Sequence, residues 1–266
     1  MGTSDLALLR LIQFSDSALP IGGAAHSFGL ESLVAEGGLT VEDLPAFLED
    51  YLQEAGCLEA VFCRLAYSCW PEQEESGKIG RIESQGPNVL GGSSEPDGPI
   101  EARDGPDGVD RLARWLRLNR TLSAFRCSRE SREASTTLGR RFLQLAASIM
   151  EAPALSNTLE RSSEEGVDVH LCTAFGRVGA FLGLDPQTVA ICYLHQSLAG
   201  LISVCQRLLP LGQNRASRLL WDLKPLIVAT VERSLPLTLE DVSCFLPALD
   251  VASMSHPYLS TRLFVS

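Results

Sequence analysis

A chain of 266 residues with 45% hydrophobic content can build a buried core, as one large or two small domains. Its net charge of −11 has the wrong sign for tracking phosphates or for an anionic bilayer, so neither nucleic acid nor a membrane is expected as a partner. Met1 to Asp5 is polar and the first apolar run is short, so no targeting signal is expected. Eight cysteines, mostly in apolar helical patterns, then read as reduced thiols of a cytoplasmic protein.

Leu8, Leu9, Leu11 and Ile12 predict an amphipathic lead-in helix that runs into Ser15-Asp16-Ser17. Pro20 lacks an amide hydrogen and biases Leu19 away from the helical region, while Gly22 and Gly23 tolerate a sharp reversal. A new helical pattern carrying His26 and Glu31 follows, which gives helix, tight loop, helix, with both polar groups near the loop. Thr40, Glu42 and Asp43 predict the next helix start. From there apolar residues recur at three and four spacing from Leu44 to Ala66, as one helix broken near Gly56 and ended by Trp70-Pro71. Residues 71–108 hold eight glycines, five prolines, nine acids and three bases, so a disordered acidic loop is expected there.

Helical order is expected to resume at Asp110, with Leu112, Trp115, Leu116, Leu122 and Phe125 as the inner stripe. Arg111, Arg114, Arg117 and Arg120 recur every third residue on another face, either a solvated face with scattered ion pairs or a docking surface for an acidic partner. A further helix ends near Pro153, a polar stretch spans Ser156 to Asp168, and another helix runs from His170 to Gly183. Asp185-Pro186 is a strong start signal. The helix it opens carries no formal charge over residues 186–206, yet its polar residues argue against a bilayer span and for burial on both sides. One side would meet the core, and Tyr193, Leu194, Leu198, Leu201 and Ile202 are expected to face a second copy in a homodimer. An amphipathic helix through Leu219 to Val231 follows, and Thr238 with Asp241 predicts a short last helix. The whole reads as all-α, a single domain of about nine or ten helices interrupted by the acidic loop.

No Cys-x-x-Cys, His-x-His, Gly-x-Ser-x-Gly or phosphate-cradling glycine loop occurs, so no catalytic residue, metal site or cofactor is assigned. Cys57, Cys63 and Cys69 are six apart, which turns each by about 240° from the last on a helix, so they cannot share a face. Cys192 and His195 can share one, as a buried thiol beside an imidazole, half of a metal site across a two-fold axis, or a transient contact for a passing cation. His26, Ser27 and Glu31 have the residue types of a hydrolytic triad. Ser27 is adjacent to His26 on the expected helix, however, and their side chains would point apart.

The segment Ser15, Asp16, Pro20, Gly22, His26, Ser27, Gly29, Leu30, Glu31 resembles, at fixed spacing, the N-terminal signature of the UreF family of urease accessory proteins. Weaker matches are His170 ahead of Ala174-Phe175-Gly176, the Pro210-Leu-Gly-Gln213 stretch, and the ending with Asp250, Ser253, His256 and Arg262-Leu263-Phe264. The resemblance implies a dimeric nickel-insertion chaperone, not an enzyme, that bridges UreD (also called UreH) to the nickel-carrying GTPase UreG and couples GTP hydrolysis to nickel delivery into the urease apoprotein. On that reading we expect, as a hypothesis of our own, a UreG-facing surface at Pro20, Gly22, His26 and Glu31, and a UreD-facing one at His256, Tyr258, Arg262, Leu263 and Phe264. The rival readings are a metal-dependent helical hydrolase and a helical protein–protein adaptor with no tie to urease.

Overall fold

The computed structural model describes residues 3–16, 18–70 and 106–265. Among these every regular element is helical, as the residue pattern predicts. Helix α1 (Thr3–Phe14) leads through a loop to α2 (Leu30–Ala35), α3 (Leu44–Tyr51) and α4 (Cys57–Ser68). Then come α5 (Pro106–Phe125), α6 (Arg129–Ile149), α7 (Pro153–Glu164), α8 (Leu171–Phe181) and α9 (Pro186–Leu208). Helices α10 (Gln213–Asp222), α11 (Lys224–Ser234) and α12 (Pro247–Ser255) complete the set. The expected break near Gly56 is a π-helical segment, Leu52–Gly56, through which α3 and α4 run on as one rod.

Helix α8 is the hub. Every residue from Cys172 to Phe181 is buried, covered by α4, α6 and α9. The approach to α4 is so close that a Cβ on Gly176 would lie 2.1 Å from the Cys63 carbonyl oxygen, a spacing only glycine allows. A chain of rings ties the layers together: Phe14 meets Phe142 edge-on at 5.8 Å, Phe142 stacks on Phe175 at 5.3 Å, and Phe175 meets Tyr193 at 5.6 Å. Arg177 is also buried in α8, its guanidinium 4.0 Å above the Trp70 ring, a cation that the apolar pattern gave no reason to place inside.

Several elements differ from expectation. Most of the expected disordered loop, residues 71–105, lies outside the described residues, but α5 opens at Pro106, a residue type that suits the first helical position. The polar stretch after Pro153 is α7. Its inner face is Leu155, Thr158 and Ser162, and the two hydroxyls bond backwards to Ala154 and Thr158 carbonyls, which hides the helix from an apolar count. Thr238 and Asp241 make the expected cap bonds of 2.9 and 2.7 Å, yet no helix follows. The Phe245 amide donates to Glu54 instead, and α12 starts only at Pro247. At Thr40 the same pairing with Asp43 forms a turn, and α3 starts at Leu44. His26 is not helical: it is extended, at the end of a 3-10 turn over Gly23–Ala25.

Helix α9 is long and apolar enough to cross a membrane by length and composition, but it lies in the core against α4, α8 and α11. Tyr193, Leu194, Leu198, Leu201 and Ile202, the side expected to meet a second copy, are all at most 4% exposed. The physical reason is that this side of α9 packs on α4, α8 and α11 of its own chain, while Ile191, Cys192, His195, Ala199 and Ser203 on the other side are half-buried or exposed. Charge placed at Leu198 would disrupt this core rather than split a dimer.

Candidate functional site

The two ends of the chain close on one carboxylate. Gly29, at φ 87°, turns the chain into α2 and lets α12 approach so near that a Cβ there would sit 2.5 Å from Ser253 Oγ. Glu31, in the first turn of α2, is thereby buried opposite the C-terminal elements. His256 Nε2 hydrogen-bonds Glu31 Oε2 at 2.8 Å, and the Leu263 and Phe264 amides donate to its two oxygens at 2.6 and 3.3 Å. The Val265 amide donates to the Ala25 carbonyl at 2.8 Å. Arg207, from the end of α9, donates to the Ala24 carbonyl at 2.7 Å and stacks over the Phe264 ring at 4.3 Å. Loop and tail are therefore one knot, bonded by charge-assisted contacts that are stronger than neutral ones.

Residues expected on two separate surfaces thus meet. His26, Glu31, His256 and Phe264 are buried within the knot, whereas Pro20 and Arg262 are exposed, as are Tyr258 (88%) and Leu263 (70%). Burial, reinforced by Arg141, lowers the His26 pKa. Glu31 orients His256 and not His26, so the three triad-like residue types form no relay. Outward of the knot, Val251, Met254 and Tyr258 lie three and four residues apart, all exposed, with Phe245, Leu263 and Val265 exposed as well. The inner side of the same elements, Ala252, Ser253 and His256, is packed. Helix α12 and the 3-10 turn His256–Tyr258 after it therefore carry a second apolar side that their own chain leaves in solvent. A second uncovered set, Leu6, Leu8, Leu9 and Ile12, lies on α1, whose inward residues are Ala7, Leu11 and Phe14.

Other sequence-singled residues sort plainly. Arg114, Arg117 and Arg120 form exposed ion pairs with Asp110, Glu240 and Glu165, the solvated-face arrangement. Cys192 lies beside Ser15 and His195 near Lys224; burial first, then that cation, lowers the His195 pKa. Among the described residues no three His, Cys, Asp or Glu side chains converge as a metal site would need.

One buried cluster had no sequence signal. Glu59 on α4 accepts from Arg126 at 2.5 Å and from the Tyr193 hydroxyl at 3.0 Å. Burial pushes the Arg126 pKa down, but Glu59 outweighs it and the guanidinium stays charged. Glu59 falls among apolar helix positions and Arg126 just beyond a helix end, so only the fold reveals that they are partners.

The described residues form an all-helical protein in which a buried glutamate binds the chain's own tail and apolar strips on α1 and α12 lie in solvent. The comparisons with known proteins are specific. The profile of a family described as UreF matches residues 39–224, and the chain belongs to that family. The urease accessory protein UreF of Bradyrhizobium sp. strain BTAi1 is 30% identical over 98% of this chain and 92% of its own length. The one from Nostoc sp. strain PCC 7120 is 30% identical over 99% and 97%, and that of Bacillus sp. strain TB-90 is 25% identical over 97% and 99%.

Proposed function

We propose that the chain is a cytoplasmic urease-maturation chaperone that bridges UreD (UreH) and UreG, so that GTP hydrolysis by UreG is coupled to nickel insertion into the urease apoprotein. Family membership supports the urease connection, since the relatives are named urease accessory proteins. The observation that carries the bridging role is the apolar stripe of Val251, Met254 and Tyr258 on an element pinned to the core by Glu31 and His256. A rigid, uncovered helix face presents anchors at helical spacing and pays little ordering entropy when a partner groove closes on it. On this reading Tyr258, Arg262 and Leu263 touch UreD, and the buried His256 and Phe264 hold them in place. Exposed Pro20 touches UreG, while Gly22, His26 and Glu31 shape the loop behind it. Tyr193, Leu194, Leu198, Leu201 and Ile202 are buried in the chain's own core, so we place the second copy on the uncovered leucines of α1 instead.

A pull-down with purified UreD and UreG tests the reading. Ternary capture is expected from the intact chain, with loss of UreD but retained UreG in Arg262→Ala. Failure of the intact, folded chain to capture either partner would leave an adaptor unrelated to urease.

A further inference from the structure

The loop before α2, the π segment, α6, α9 and α12 line a cavity of about 160 Å³ that opens to solvent at Asp16, Ala24, Ser203 and Arg207. That exceeds the room one water needs by roughly tenfold. Three observations mark it as space kept open for a ligand. Gly200 lines it from the middle of α9, where glycine costs about 0.5–1 kcal/mol relative to alanine. No neighbour requires that glycine, since a Cβ there would meet nothing within 4 Å. One turn earlier, the buried Gln196 Oε1 also lines the cavity and has no donor among the described residues. Finally, the half-buried Asp250 carboxylate lines the same space with no hydrogen-bond or ion-pair partner among the described residues, and burial raises its pKa although nearby Arg126 opposes the shift.

The charge balance indicates the sign of the ligand. The lining holds three acids, Asp16, Glu59 and Asp250, against two arginines, Arg126 and Arg207. Arg126 is committed to Glu59, and Arg207 to the Ala24 carbonyl and the Phe264 ring. An anion would find no free cation there, whereas a cation would find Asp250. The walls beside it, Leu201, Leu246 and Leu249, are apolar, which suits an organic stem better than a hydrated metal ion.

We propose that this cavity binds an alkylammonium group, with its charge on Asp250, an N–H donated to Gln196 Oε1, and its methylene stem along Leu201, Leu246 and Leu249. The ammonium can belong to a free diamine or to a lysine side chain of another protein.

Calorimetric titration of the full chain with n-butylammonium, and with n-butanol as the uncharged control, tests the proposal. Saturable binding is expected for the ammonium and none for the alcohol at the same concentration. Asp250→Asn should weaken binding at least tenfold. Gly200→Leu, which grows into empty space and so keeps the melting temperature at or above wild type, should abolish it. Putrescine binding tenfold tighter than n-butylammonium assigns the site to free diamines, and Nα-acetyl-lysinamide doing so assigns it to a lysine; equal affinities leave the shared ammonium as the determinant. Absence of saturable binding by every amine, equal binding of n-butanol, or wild-type affinity in both variants overturns the proposal.

Discussion

Along the seam of α4 and α8, Gly176 brings one backbone against another and every neighbouring side chain is buried. Around Glu31, one carboxylate gathers an imidazole and two amides, while Tyr258 and Leu263 a few residues away remain in solvent. The first region is held by area and shape, the second by a few directed bonds. A seam of the first kind cannot open without losing most of the stability of the molecule. A knot of the second kind can be loosened locally and leave the bundle standing.

The largest effect belongs to the seam. In Gly176→Leu the new Cβ would lie 2.1 Å from the Cys63 carbonyl oxygen, far inside van der Waals contact, so α4 and α8 must part; a loss above ~4 kcal/mol, or failure to fold, is expected in denaturant titration. Next is the buried cluster. Glu59→Gln leaves the Arg126 charge uncompensated and the Tyr193 hydroxyl with a weaker acceptor, for an expected loss of about 3–5 kcal/mol. Wild-type stability in either variant would place the packing core elsewhere.

A pH titration probes the interior between the two regions. His170 lies between Ser123 and Ser135 hydroxyls, at 2.8 and 3.0 Å, and burial, then Arg126 and Arg132, lowers its pKa to about 2. The folded chain therefore keeps the ring neutral while the unfolded chain protonates it below the ordinary value of 6.5. The stabilisation is complete above that value and is lost as pH falls from 6.5 towards 2, by about 1.4 kcal/mol per unit, or about 2 kcal/mol by pH 5. His170→Gln should be less stable at pH 7 and show a flatter profile; an unchanged slope would exclude His170 as its source. Smaller still is Glu31→Gln, which replaces one acceptor oxygen with a donor facing the tail amides and costs about 1–2 kcal/mol. Amide exchange should accelerate at Leu263 to Val265 and stay slow through α8; uniform acceleration would mean that knot and seam unfold together.

How far the residues announced all this follows from the kind of force involved. The α8–α9 core was legible because burial of whole helices leaves a run of apolar residues, and Asp185 caps α9 with a 2.8 Å bond to the Thr188 amide. The motif around Glu31 was legible as special, but not its partner, because His256 is 225 positions away and hydrogen bonding leaves no periodicity. Helix α7 was missed because its buried face uses Thr158 and Ser162, whose hydroxyls satisfy themselves on their own helix and take the Trp115 indole at 2.9 Å. The five α9 residues expected at a dimer contact lie in the chain's own core, because an apolar run shows only that a side is covered, never by which chain.

The finest test separates the stripe on α12 from the knot that supports it. Tyr258 is 88% exposed, so truncation removes almost no contact within its own chain, and Tyr258→Ser should change unfolding free energy by less than ~0.5 kcal/mol. If the stripe is the surface a partner covers, the same change removes a large amphipathic anchor, and affinity for UreD should fall at least tenfold, about 1.4 kcal/mol, measured by biolayer interferometry. Phe264→Ser is the companion, because that ring is buried under Arg207 and its loss should lower stability and UreD affinity together. Equal affinities for wild type and Tyr258→Ser would move the contact off this face and leave the knot a purely internal tie.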